Sequence, residues 1–163
     1  MKDIVNLLIS KQKTISTMES CTGGFLVNEI TNIEGSSKVL FFGAVTYSNE
    51  YKIKLGVDEN LINKYSVYSL EVAKDMALKI SLFSNSDYGI GITGKLKKVD
   101  DNNLYGKDDL VFISIYDKEN NNYYNESVTV KYDQRALNKK QVIDSVVTTL
   151  KDILSERYFN KTK

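Results

Sequence analysis

Hydrophobic and polar residues in the first fifty positions follow two different periods, and each change of period marks a new element. Ile4, Leu7 and Leu8 share one side of a helix that Asp3 can cap, ending before Lys11-Gln12-Lys13. Thr14-Ile15-Ser16-Thr17-Met18 alternates apolar with polar and predicts a short strand. Glu19-Ser20-Cys21-Thr22-Gly23-Gly24 then predicts a sharp polar turn, and Phe25, Leu26, Ile30 and Ile33 recur at helical spacing, giving a helix from about Gly23 to Asn32. A second polar cluster, Gly35-Ser36-Ser37, precedes a second strand, Phe41 to Tyr47, which runs into Ser48-Asn49-Glu50-Tyr51-Lys52. Two glycines between strand and helix let the backbone approach a ligand, and the N–H groups at a helix start favour an anion.

The pattern continues with Asp58-Glu59-Asn60 opening a short helix through Leu61 and Ile62. Ser69 is an N-cap for a longer one carrying Val72, Met76, Ile80 and Phe83. Tyr88-Gly89-Ile90-Gly91-Ile92-Thr93-Gly94 reads as a buried strand whose glycines call for close packing or close approach of a ligand. Lys95 to Asp109 is polar and predicts a loop. Leu110 to Tyr116 and Tyr124 to Tyr132 predict two strands joined as a hairpin through Asp117 to Asn122. Val142, Val146, Leu150 and Ile153 mark a last helix ending near Tyr158, with a frayed tail from about residue 159. With no repeat and no linker, residues 1–163 form one domain. Mixed helices and strands with a late hairpin predict the α/β class, as a three-layer sandwich with a mixed sheet.

Composition narrows the chemistry more than the class. A net charge of +1 gives no field that would draw the chain to nucleic acid or to an anionic membrane. No apolar run is long enough to span a bilayer, and the first residues carry no signal-peptide pattern, so a cytoplasmic location is expected. Histidine is absent, which removes Ser-His and Cys-His mechanisms and the commonest transition-metal ligand. A single cysteine, Cys21, leaves no intrachain disulfide and no cysteine-based zinc site. A nucleophilic hydroxyl here would need a lysine, carboxylate, tyrosinate or chain terminus as its base.

Ser20 has two readings: a nucleophile whose oxyanion would meet the following N–H groups, or an ordinary helix cap. Its turn has neither Walker-loop nor Gly-x-Ser-x-Gly spacing. Lys52 is a base only if burial or a neighbouring cation lowers its pKa; otherwise Lys52 and Lys54 point outward from an edge segment with Ile53 and Leu55 inward. Cys21 near a helix start could be a thiolate, but with no histidine to assist it reads as a small buried apolar residue. Arg135, ahead of the last helix, can fork a phosphate or carboxylate or form a surface ion pair.

Glu19-Ser20-Cys21-Thr22-Gly23-Gly24, Gly35-Ser36-Ser37 and Val45-Thr46-Tyr47-Ser48-Asn49-Glu50-Tyr51-Lys52, in this order, closely resemble the CinA C-terminal domain family, the nicotinamide-nucleotide amidases. Weaker matches follow at Ser69 to Met76, at Gly91-Ile92-Thr93-Gly94 and around Arg135. The resemblance implies a three-layer α/β/α domain that forms a homodimer and takes a small-molecule nucleotide. It implies hydrolysis of the carboxamide of nicotinamide mononucleotide to nicotinate mononucleotide and ammonia, with no metal and no cofactor. It places the family's serine on Ser20 and lysine on Lys52, and active-site support on Tyr47 and Ser36. It also implies substrate contacts at Thr22, Gly23, Gly24, Thr93 and Arg135. The chain departs from the family after Gly94, where Lys95-Leu96-Lys97-Lys98-Val99-Asp100 replaces a Gly- and Pro-rich stretch. A nucleotide-binding or interaction module without catalysis is therefore the alternative to an amidase. A phosphate-transfer enzyme ranks behind both, since no magnesium-binding carboxylate pair stands in place for it.

Overall fold

The chain builds a five-stranded mixed sheet in the order β2-β1-β3-β4-β5; the computed structural model describes residues 1–98, 101 and 104–156. Its strands are β1 (Ile15–Glu19), β2 (Leu40–Val45), β3 (Tyr88–Gly94), β4 (Leu110–Asp117) and β5 (Asn122–Thr129). β1 runs parallel to both β2 and β3, while β4 and β5 form the antiparallel hairpin beyond β3. The helices are α1 (Lys2–Lys11), α2 (Phe25–Thr31), α3 (Asn49–Lys54), α4 (Glu59–Tyr65), α5 (Leu70–Ser84) and α6 (Arg135–Leu154), with a 3₁₀ turn at Ser36–Lys38.

Two separate apolar cores show why three layers form. Ile4 and Leu8 of α1, Leu26 and Ile30 of α2, and Val142, Val146 and Leu150 of α6 pack with Ile15, Ile90, Ile92, Ile113 and Ile115 on one face. Met18 and Ala44 meet Ile62 of α4 and Val72, Met76 and Ile80 of α5 on the other. The period-2 alternation of the strands thus feeds two faces, each covered by helices. β3 is buried along its whole length. A Cβ at Gly89 would stand 2.0 Å from the Ala77 carbonyl oxygen, and one at Gly91 would stand 2.2 Å from that of Ala73. These two glycines therefore serve the close approach of α5, which settles the choice between packing and ligand.

Most predicted elements stand within a few residues of their expected bounds, and the exceptions have local causes. Asp3 does not cap α1: the N-cap is Met1, and Asp3 pairs instead with Lys151 of α6. Asp58 and Ser69 do cap, their side chains accepting from the N–H groups of Asn60 and Val72. The second strand stops at Val45, and 49–54 forms a helix capped by Ser48 rather than an edge segment. Because that segment is helical, Lys52 turns inward while Lys54 pairs with Glu50 on the surface. The last helix begins at Arg135 itself, and the expected end near Tyr158 lies outside the described residues.

A candidate active site at the strand ends

The chain leaves β1 over one face through α2 and returns to β3 over the other through α5. In an open α/β sheet such a reversal leaves a crevice at the carboxyl ends of the strands, where ligands bind. An open cleft of about 720 Å³ lies there, lined by Ser20 and Cys21 after β1, Tyr47, Ser48, Asn49 and Lys52 after β2, and Gly94, Lys95, Leu96 and Lys98 after β3, with Val67, Tyr68, Asp101 and Arg135. Small-molecule sites are typically roughly 300–1,000 Å³.

Ser20 is pinned by its backbone, its N–H donating to the Ile92 carbonyl at 3.0 Å and its own carbonyl accepting from Gly23 at 3.0 Å. Lys52 Nζ donates to Ser20 Oγ at 3.1 Å and to the Thr46 carbonyl at 2.7 Å. The Lys52 side chain is essentially enclosed, at 1% exposure, and forms no ion pair among the described residues. Loss of hydration disfavours the ammonium, so burial pushes its pKa down to about 8. Burial pushes the neighbouring Cys21 thiol up to about 12, so at neutral pH it is uncharged and gives Lys52 no counter-ion. A deprotonated Lys52 can keep donating to Thr46 while its lone pair faces the serine hydroxyl.

The turn that carries Ser20 is held by a residue to which sequence reasoning gave no role. Glu19 is fully buried; its Oε1 accepts from Thr22 Oγ1 at 2.7 Å and from the Leu26 N–H at 3.0 Å, and its Oε2 accepts from the Val27 N–H at 3.1 Å. The chain's own carboxyl group therefore occupies the start of α2, where a ligand anion was expected. Gly23 and Gly24, with φ of +64° and +89°, allow the left-handed turn into α2 but do not line the cleft. The signal was the position of Glu19, seven and eight residues ahead of the helix N–H groups that it caps. That offset falls outside the usual capping-box spacing.

The structure brings Ser20, Lys52, Tyr47 and Arg135 to one cleft. Tyr47 is 68% exposed, and Arg135 is exposed on the first turn of α6. The turn into α6 is closed by Asn138, whose amide exchanges two hydrogen bonds with the backbone of Tyr132. Thr22 and Thr93 are turned inward: the first serves Glu19, and the second donates to the Val67 carbonyl at 2.9 Å, which holds the Val67-Tyr68 wall against β3. Ser36 does not join them. It precedes β2, at the opposite end of the sheet and roughly 20 Å of strand away. Among the described residues no group of acidic and sulfur ligands is arranged to hold a metal.

Fold and cleft define a doubly wound α/β domain with a buried serine–lysine contact at its ligand crevice. The CinA C-terminal domain profile matches residues 1–154, and the chain belongs to that family. A competence-damage inducible protein of Clostridium beijerinckii is 44% identical over 114 residues, which cover 69% of this chain and 28% of that protein. A relative from Clostridium kluyveri with the same name is 51% identical over 54% of this chain and 22% of its own length. The chain thus spans only about a quarter of the length of these relatives. Among solved structures, a CinA superfamily protein from Klebsiella pneumoniae superposes with a TM-score of 0.87 at 20% identity, covering 95% of both chains. One from Escherichia coli gives 0.82 at 24% identity, over 93% of this chain and 87% of its own. At these identities the likeness speaks for the fold.

Proposed function

We propose that the domain is a metal-independent amidase that deamidates nicotinamide mononucleotide to nicotinate mononucleotide and ammonia. The observation that supports it best is the enclosed Lys52 amine 3.1 Å from the Ser20 hydroxyl. In this reading neutral Lys52 takes the Ser20 proton as Oγ attacks the carboxamide carbon. The oxyanion meets the N–H group of Cys21, which lines the cleft and enters no backbone–backbone hydrogen bond among the described residues. Lys52 then gives the proton to the departing ammonia, and water resolves the ester by the same base. Tyr47 and Arg135 contact the nucleotide at the mouth of the cleft. The test is ammonia release from nicotinamide mononucleotide by wild type, Ser20→Ala and Lys52→Met. Near-normal release by both variants refutes it.

The second reading is a nucleotide-binding module without turnover. It draws on the replaced segment, since Lys95, Lys98 and Asp101 form a wall of the cleft. Thermal stabilisation by the nucleotide without ammonia release would favour it. Either reading fits a homodimer, because the edge strand β2 exposes Phe41, Phe42 and Val45 beside Phe83, an apolar patch that a second copy would cover. Mass measurement in solution tests this. No described helix is long and apolar enough to cross a membrane.

A further inference from the structure

Beside Ser20, at the end of the neighbouring strand β3, the cleft lining holds a cation that the proposed mechanism does not use. The Lys95 side chain is only 2% exposed, and Asp108, whose side chain is 47% exposed, meets its Nζ at 3.0 Å. The Lys95 ammonium also lies 5.2 Å from the centre of the Tyr68 ring. Lys98 and Arg135 line the same cleft, against Asp101 as the one acidic lining residue among those described. The start of α2 is closed to anions by Glu19, so the cationic wall is the place in the cleft that favours negative charge. The Asp108 carboxylate offsets the cost of burying the Lys95 ammonium, and a half-exposed carboxylate on a loop can be exchanged for another anion.

We propose that Lys95 is a specificity-determining residue that binds the phosphate of the ligand, with Asp108 as the internal anion that the phosphate displaces. The ligand class is then a phosphate monoester whose anionic end lies along Lys95 and Arg135 and whose other end reaches Ser20. The substrate named in this assignment rests on the amidase reading, but its test does not need turnover.

Calorimetry separates the roles, with nicotinamide mononucleotide, its dephosphorylated riboside and inorganic pyrophosphate as probes. Lys95→Met should weaken binding of the mononucleotide and of pyrophosphate by about tenfold, the scale of one charge-assisted hydrogen bond, and leave the riboside unchanged. Asp108→Asn should bind both phosphate probes at least as tightly as wild type, since it removes the competing anion. A clamp that merely braces the loop predicts the opposite for Asp108→Asn, which would then weaken binding together with Lys95→Met. That result overturns the proposal, as does unchanged pyrophosphate and mononucleotide binding by Lys95→Met. Should Lys95→Met fail to fold, Asp108→Asn alone decides: phosphate binding at least as tight as in wild type supports the exchange, and weaker binding refutes it. Pyrophosphate binding that depends on Lys95 in a protein without ammonia release would refute the amidase while leaving this site standing.

Discussion

The two walls of the cleft are built in different ways. Around Ser20, side chains and backbone are buried and tied to the sheet: Glu19 holds α2, Ser20 hangs from β3, and Thr46 aims Lys52. At the end of β3, Lys95 opens a loop tied by two backbone bonds, from the Lys95 N–H to the Leu110 carbonyl and from the Lys97 N–H to the Asp108 carbonyl, while its side chains are held by ion pairs, Lys95 to Asp108 and Lys97 to Asp133. One wall can hold a nucleophile within a fraction of an ångström because packing fixes it on rigid elements. The other can exchange partners, which suits recognition. The contrast separates reaction from selection.

The sharpest break comes on the rigid wall. Ser20→Ala and Lys52→Met are each expected to lower kcat by about a thousandfold or more, since the pair acts as one unit. The double variant should be hardly worse than either single one, which steady-state ammonia release can measure. Lys52→Met should still fold. The lowered pKa means that the unfolded chain binds more protons than the native one between about 8 and 10.5, so native stability rises with pH across that window. Below it, the buried ammonium is a cost that methionine lacks, and Lys52→Met should melt no lower than wild type at pH 7. For the same reason kcat/KM should rise with pH and level off above about 8, and a flat profile would deny Lys52 the role of base.

Glu19→Gln sharpens the contrast at a smaller scale. An amide can accept through one atom only, so one of the α2 N–H groups faces a donor, at a cost of about 1–3 kcal/mol in urea unfolding. Turnover should fall with it, because the Ser20 turn loosens. Loop-wall changes come last. Lys95→Met and Asp108→Asn should alter phosphate affinity with kcat nearly kept. Lys97→Ala, which removes an exposed pair with Asp133, should leave the melting temperature unchanged within error.

Alternation placed β1, apolar runs placed β2 and β3, the turn at Asp117 to Asn122 marked the β4–β5 hairpin, and a helical stripe placed α5 and α6. Ser69 and Asp58 were legible as caps since capping is a local interaction. Asp3 misled for a non-local reason: its carboxyl group finds Lys151, which is distant in sequence. Lys52 was ambiguous on its own, since an inward or outward lysine depends on whether 49–54 is helix or edge. The Ser48 cap, which the composition there permits, tips it toward helix. The capping of α2 by Glu19 and the pairing of Lys95 with Asp108 were not legible because the partners stand elsewhere in the chain.

Local order determined the residue types available for chemistry: no histidine, one cysteine, a serine before two glycines and a lysine after the second strand. Tertiary structure decided which of them meet. It stripped water from Lys52, turned Thr22 and Thr93 inward, sent Ser36 to the far end of the sheet and brought Lys95 into the same cleft as Ser20. Desolvation and approach are properties of neighbours in space, and spacing along a chain carries neither until the sheet brings its strand ends together.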